Sequence, residues 1–205
     1  MGFKAMQLDP DHQPVKLILA SSSSYRADLL ARLRLHFEIQ AVTVDETCQP
    51  GETALALARR LAAEKAQAVT GLTGDFISIG SDQVAACDNR LLGKPGTTEQ
   101  AQRQLEFISG KHVVFFTGLA LWRPEKNVLA LQVAHTEVAM RTLTTEEIEA
   151  YVEKDHPVDC AGSFKWESLG ISLFRSTQGS DPTALQGLPL IALSELLRQQ
   201  GFRIP

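Results

Sequence analysis

Strand-like and helix-like patterns alternate from Lys16 to Gln200 of this 205-residue chain, with no repeat, low-complexity tract or charge block long enough to act as a linker. The run KLILA, Lys16–Ala20, is short and apolar and stops at four serines, as a buried strand does on entering a turn. Ala27, Leu29, Leu30 and Leu33 then recur at helical spacing, with Ser22 or Ser23 placed to cap. Phe37, Ile39 and Ala41, followed by Val42 and Val44, predict a second strand ended by Asp45, Glu46 and the turn-like QPGE. Leu55, Ala58, Leu61 and Ala62 with Lys65 describe a long alanine-rich helix with one apolar face. FISIGSDQVAAC reads as a strand interrupted at Gly80, and Asp88 with Asn89 as a turn. Thr97 with Gln100 and Thr144 with Glu147 have capping-box spacing, each opening an amphipathic helix. Val113–Trp122 and Val128–Met140 read as two long strands joined across Pro124 and Asn127, and Leu190–Gln200 as a last helix stopped by Gly201. The order βα, βα, β, α, β, β, α, β, α specifies an α/β fold whose sheet mixes strand directions.

Composition narrows the class of function. At 44% hydrophobic and 21% charged the chain matches soluble globular proteins, and its net charge of -4 sets up no global field for nucleic acid or anionic lipid. An anionic substrate must therefore be held by a local cluster or a bound cation. Cys48, Cys87 and Cys160 lie far apart with no CxxC pair, which disfavours a disulfide scaffold or zinc knuckle and fits a reducing cytoplasm. The first fifteen residues have no apolar run before a small-residue cleavage site, and Met6 stands where myristoylation needs Ser or Thr. Val113–Trp122, the most apolar stretch, is about half the ~20 residues that span a bilayer. The expectation is a cytoplasmic protein with no membrane or nucleic-acid-polymer partner, unordered over residues 1–15 and forming one domain of two lobes over residues 16–205.

Several catalytic signatures are missing: GxGxxG, GxxxxGK[ST], HExxH and GxSxG do not occur. His12, His36, His112, His135 and His156 form no ligand spacing and read as surface or hydrogen-bonded residues. What remains are polar residues near the ends of expected strands, where α/β proteins gather ligands. Ser21–Ser24 with Tyr25 and Arg26 form a strand-to-helix turn whose free N–H groups, hydroxyls and guanidinium suit a phosphate, although serines there also simply cap a helix. Asp82 in GSDQ presents one carboxylate at a strand end, a position that is equally compatible with a structural role. Lys94 in GKP and Lys165 in GSFK sit on turns, where lysines are commonly just solvated. As a set, the acids Glu46 and Asp82 with the cations Arg26, Lys65, Lys94 and Lys165 suit a triphosphate plus a divalent metal.

The segments KLILASSSSYRADLL, AVTVDET, RRLAAEKAQ, IGSDQV, LLGKPGT, FFTGLALW, YVEKDHPVDCAGSFKWESLGI and GLPLIALSELL resemble, in order and spacing, the Maf family of nucleotide pyrophosphatases and within it the YceF-like branch. The resemblance runs from Lys16 to Gln200. It implies an elongated mixed sheet with flanking helices, similar to inosine-triphosphate pyrophosphatases, with two lobes around a deep cleft, and a homodimer. It implies hydrolysis of a nucleoside triphosphate between the α and β phosphates with Mg2+, Mn2+ or a similar divalent cation.

Position by position, the resemblance makes Asp82 the proton acceptor that activates water. It makes Ser21, Arg26, Lys65, Lys94 and Lys165 phosphate ligands, and Glu46 with Asp82 metal ligands. Tyr25, Gln83 and Glu167 fall where branches differ in base preference, and an aromatic, Gln and Glu imply 7-methyl-GTP. An aromatic face attracts the positively charged N7-methylguanine ring, and an ionised Glu167 accepts the N1 and N2 hydrogens of guanine. Ser24 and Ala27 replace a Pro and an Arg common in relatives, and Trp166 replaces a small residue. The alternatives are pyrophosphatase action on pyrimidine or other modified nucleotides, or a nucleotide-binding regulator of cell division with little turnover.

Overall fold

The computed structural model describes residues 13–205. The elements in chain order are β1 (Lys16–Leu19), α1 (Ser24–Ala31), β2 (Glu38–Ile39), α2 (Ala54–Gln67), β3 (Phe76–Cys87), β4 (Arg90–Leu92), α3 (Thr98–Ile108), β5 (His112–Arg123), β6 (Val128–Met140), α4 (Thr145–Asp155), β7 (Phe174–Gly179) and α5 (Leu190–Gln199). Caps set the helix starts: Ser23, Thr53 and Thr97 each accept a backbone N–H of the first turn, and Thr144 with Glu147 forms a reciprocal capping box.

The seven strands form one mixed sheet in the order β2-β1-β3-β5-β6-β7, with β4 paired to β3. β1 runs parallel to both β2 and β3, and all other pairs are antiparallel. The expected α/β class and mixed strand directions are therefore present. The sequence reading lacked β4, a three-residue strand too short to show a period, which pairs back on β3 across Asp88 and Asn89. It also made β2 too long. Val42 and Val44 instead pack into small clusters beside Ile18 and beside Leu57 and Val84, so their burial needs no ladder.

Period-two alternation along β3 sorts its side chains between two different layers. Ser78, Gly80 and Asp82 share the face covered by α2. Gly80 does not interrupt the strand, which runs unbroken through twelve residues. It admits the helix: a Cβ there would lie 2.2 Å from the Ala62 carbonyl oxygen, and one on Gly118 of β5 would lie 2.2 Å from that of Ala58. Ala58, Ala62 and Ala66, all fully buried, complete this close contact at helical spacing.

The opposite face carries two separate cores. Ile77 and Ile79 of β3 with Leu119 and Leu121 of β5 pack under α1 and α5, whereas Ala85, Cys87, Val113 and Phe115 pack under α3 and α4. Each fully buried Leu or Ile contributes ~1.5–3 kcal/mol to its core. Between them lies a polar strip. Ser81 Oγ donates to Gly187 O at 2.8 Å, Gln83 Nε2 to Ala184 O at 2.9 Å and Thr117 Oγ1 to Ala184 O at 2.9 Å, fastening residues 184–187 across the junction. Asp181, 4% exposed, anchors the same segment by accepting from Thr183 N and from Ile191 N at the start of α5.

Of the fifteen residues expected to be unordered, 1–12 lie outside the described residues. Gln13–Val15 are attached: Gln13 Nε2 donates to His36 O at 2.8 Å and Val15 is buried in the α1/α5 core. Among the described residues, no helix is long and apolar enough to cross a membrane.

Candidate active site

The site occupies a gap in the sheet. β1 pairs with β3 only through Ile79, and β4 begins pairing at Ala85, so Gly80–Val84 have no strand beside them on that edge among the described residues. The cleft there measures about 800 Å³ and is walled by the end of β1, by α2, by the segment after β4 and by residues 185–187. Asp82 therefore lies in mid-strand rather than at a strand end, and it is the missing neighbour that gives a ligand access.

Asp82 Oδ1 and Glu46 Oε1 each lie 2.6 Å from Lys65 Nζ. Lys65 arrives from α2 one turn beyond Leu61, and Asp82 from the helix-facing register of β3. Both are under 10% exposed, whereas the Glu46 side chain is open to solvent. Burial pushes the Asp82 carboxyl above its ordinary range, opposed first by the Lys65 charge and its hydrogen bond, then by Arg26. Glu46 is held low, mainly by the Lys65 hydrogen bond. Two neighbouring carboxylates thus differ in basicity because desolvation prevails at Asp82 and the Lys65 hydrogen bond prevails at Glu46.

Arg26 projects from the first turn of α1. Its Nε donates to Gly187 O at 2.9 Å and its Nη1 to Ser21 Oγ at 3.2 Å, while Ser21 Oγ also accepts from Ser23 N. Burial lowers the Arg26 pKa, with Asp82 and Glu46 pulling the other way. Lys94 lines the cleft from the segment after β4 and is exposed. Arg26, Lys65 and Lys94 thus share one cavity with Ser21. Lys165, expected among them, does not line it. Its Nζ donates to Asp155 O and His156 O, the carbonyls at the end of α4, and approaches Asp159 at 3.7 Å. Helix-end carbonyls attract a cation, and that competing partner is the reason the ammonium sits there.

Tyr25 and Glu167 line the same cleft, joined by Asp159, Cys160 and Trp166. Burial and then the Asp159 carboxylate push the Cys160 thiol up to about 12, and Glu167 adds to the effect. Asp159 and Glu167 also raise the Tyr25 phenol, whose shift is led by desolvation. One part of the cleft is consequently acidic and aromatic, while the part around Arg26, Lys65 and Lys94 is basic. Gln83 commits its amide N–H groups to Thr117, Ala184 and Leu185, which leaves its Oε1 as the atom it offers a ligand. Trp166 has its Nε1 buried without a hydrogen-bond partner among the described residues, so the surface it gives the cleft is ring carbon.

Arg60 and Asp159 were not singled out in the sequence. Arg60 donates to Glu52 from Nε at 2.7 Å and from Nη2 at 2.9 Å, to Asp45 O at 3.4 Å and to Thr47 O at 3.0 Å. Its guanidinium therefore grips the carbonyls on both sides of Glu46 and anchors the loop to α2. The available signal was the spacing RRLAAEK, which puts Arg60 and Lys65 on one helix but on different sides of it.

Among the described residues no group of three or more His, Cys, Asp or Glu is placed to hold a metal ion. Glu46 and Asp82 are hard oxygen donors on either side of one ammonium. Two carboxylates fit an ion such as Mg2+, which keeps several waters and completes its shell with substrate phosphate oxygens. They do not fit a closed structural zinc site, which takes four protein ligands.

Comparison with known proteins extends this geometry. A family model described as Maf-like protein matches residues 16–200. A 7-methyl-GTP pyrophosphatase of Xanthomonas axonopodis pv. citri is 54% identical over 190 residues, covering 93% of this chain and 99% of that protein. One of Pseudomonas aeruginosa is 51% identical over 189 residues, covering 92% and 98%. Among solved structures, a HAM1 protein from Coxiella burnetii superposes with a TM-score of 0.51 at 21% identity over 90% of this chain and 99% of that one, a likeness of fold.

Proposed function

This chain belongs to the Maf family, and from that premise we propose that it is a nucleotide pyrophosphatase that hydrolyses 7-methyl-GTP to 7-methyl-GMP and pyrophosphate. The observation that carries the reading is the polarity of one cavity: cations and a serine turn around a buried carboxylate on one side, a ring with two carboxylates on the other. 7-Methyl-GTP has the matching polarity, a positively charged base on an anionic triphosphate.

In this mechanism Asp82, its basicity raised by burial, takes a proton from a water whose oxygen attacks the α phosphorus. The bond from the α phosphorus to the bridging oxygen breaks and pyrophosphate leaves. Arg26, Lys65 and Lys94 supply fixed positive charge where the leaving group gains negative charge, usually the largest contribution in phosphoryl chemistry. Lys65 also keeps Asp82 ionised while it waits. Glu46 and Asp82 would hold a divalent cation such as Mg2+ or Mn2+, which supplies further charge neutralisation when bound. Tyr25 stacks on the base and Glu167 accepts its N1 and N2 hydrogens, a contact that pyrimidine carbonyls would repel. Lys165 positions the Asp159 and Glu167 region from the end of α4 instead of binding phosphate.

The reading includes a cytoplasmic location and a homodimer, to which the solvent-exposed outer strand β7 offers an edge that is unpaired among the described residues. The test is Asp82→Asn in purified protein. Pyrophosphate release should fall by ~10²–10⁴ with the melting temperature retained. Activity above a tenth of the parent level would remove Asp82 from the role of base.

A further inference from the structure

A second groove, about 570 Å³, lies on the far side of β4, and Leu92, Gly93 and Lys94 line both it and the cleft. We propose that this groove receives a phosphate-linked extension of the substrate. The enzyme then also cleaves 5′–5′-linked dinucleoside polyphosphates that carry a 7-methylguanosine end. The inference rests on the reading above for the bond that is cut and adds a substrate class to it.

Three features of the groove point to such a ligand. Its walls are cationic: Arg90 from β4, Lys94 from the following loop and Arg103 from α3 face one space, with no carboxylate among the lining residues. Glu99, one turn before Arg103, does not line it, and the neighbouring Lys111 is already paired with Asp88 at 3.0 Å. In a chain of net charge -4, three cations around one concavity that no carboxylate lines are the local cluster that a polyanion requires.

The sill between the two spaces is low. Gly93 has no side chain, and a Cβ there would meet nothing within 4 Å, so the backbone after β4 does not bar a chain passing over it. Lys94 stands on that sill, exposed, and belongs to both spaces. The far wall is firm. Gln104 Nε2 donates to Gly93 O at 3.2 Å and Gln104 Oε1 accepts from Ser163 Oγ at 2.6 Å, tying α3 to the segment after β4 and to the segment after α4. The Arg90 guanidinium is held over the Phe107 ring at 4.9 Å. A planar guanidinium braced on a ring presents its other face to a nucleobase and its edges to phosphate.

Cleavage would follow the same balance as with the triphosphate. Water oxygen bonds to the α phosphorus on the 7-methylguanosine side, the bond to the bridging oxygen breaks, and the partner nucleoside diphosphate leaves in place of pyrophosphate. The test compares kcat/KM for 7-methyl-GTP and for 7-methylguanosine(5′)triphospho(5′)adenosine, in the parent protein and in Arg90→Gln with Arg103→Gln. Both residues are exposed and outside the cleft lining.

The parent should release 7-methyl-GMP and ADP from the dinucleotide. The double variant should lose about tenfold on the dinucleotide, the size that two exposed ion pairs supply, and less than twofold on 7-methyl-GTP. A parent that cleaves 7-methyl-GTP but not the dinucleotide overturns this inference and leaves the proposed function standing. So does a double variant affected equally on both substrates. Cleavage of neither compound overturns both.

Discussion

The Lys65 ammonium lies 2.6 Å from Asp82 Oδ1, a contact between the buried face of α2 and the mid-strand register of β3. Only the absence of side chains at Gly80 and Gly118 lets the helix come close enough to make it. The chemistry of the site therefore depends on a packing feature of the sheet.

Removing that ammonium should change both stability and pH dependence. In Lys65→Met the two largest influences that hold the Asp82 carboxyl down are lost and only Arg26 is left to oppose desolvation, so its pKa climbs further. A base works when deprotonated, so the acid limb of kcat/KM, already above the ordinary carboxylate range, should move to higher pH. Breaking such a pair costs about 3 kcal/mol near neutrality. A raised folded-state pKa means the native state takes up the proton more readily, so part of that loss should return as pH falls below it. Urea melts and pH–rate profiles check this, and an unmoved acid limb would contradict the coupling.

Arg60 should act through the placement of Glu46. Arg60→Ala frees the loop whose carbonyls it grips, and the response expected is a rise of about tenfold in the Mg2+ concentration for half-maximal activity, with kcat at saturating metal falling less. Arg60 with Gln49 N holds the Glu52 carboxyl down at about 2, so the loop contact is present above the ordinary Glu range and is lost as pH falls toward that value. Metal titration of Arg60→Ala and Arg60→Lys provides the check. A uniform drop in kcat with no change in metal dependence would make Arg60 a purely structural residue.

The acidic, aromatic part of the cleft should set base preference. Tyr25→Ala combined with Glu167→Gln is expected to cut the kcat/KM ratio of 7-methyl-GTP over GTP and UTP by ~10- to 100-fold. With Trp122→Phe as background, Trp166 becomes the one tryptophan, and its emission should respond to 7-methyl-GTP binding. Unchanged relative kcat/KM values would take the base away from these residues.

Gly118→Ala tests the helix seat. A Cβ 2.2 Å from the Ala58 carbonyl oxygen forces α2 outward, which should destabilise by about 3 kcal/mol and lower activity because Lys65 travels with the helix. A parent-like denaturation midpoint would show that the helix can shift at no cost.

The sequence pattern carried far in some places and stopped in others for physical reasons. Caps at Ser23, Thr97 and Thr144 are local hydrogen bonds, so they could be read from neighbours in the chain. Ser21, Tyr25, Arg26, Glu46, Lys65, Asp82, Gln83, Lys94 and Glu167, proposed from motif order, all line one cavity. The misread features depend on distant partners. Gly80 looks like a strand breaker until α2 is laid across it, and the place of the Lys165 ammonium, outside the cleft lining, follows from the carbonyls at the end of α4. β4 has three residues and gains its strand conformation from β3. Arg60 and Asp159 carry ordinary surface-residue signals, and only tertiary placement brings them to Glu46 and Tyr25.

The central claim is that water attacks the α phosphorus in this cleft, and hydrolysis of 7-methyl-GTP in 18O-enriched water with Mg2+ measures it. Mass spectrometry should find one 18O in 7-methyl-GMP and none in the pyrophosphate. Label in the pyrophosphate, release of orthophosphate, or an unconsumed nucleotide would contradict the account.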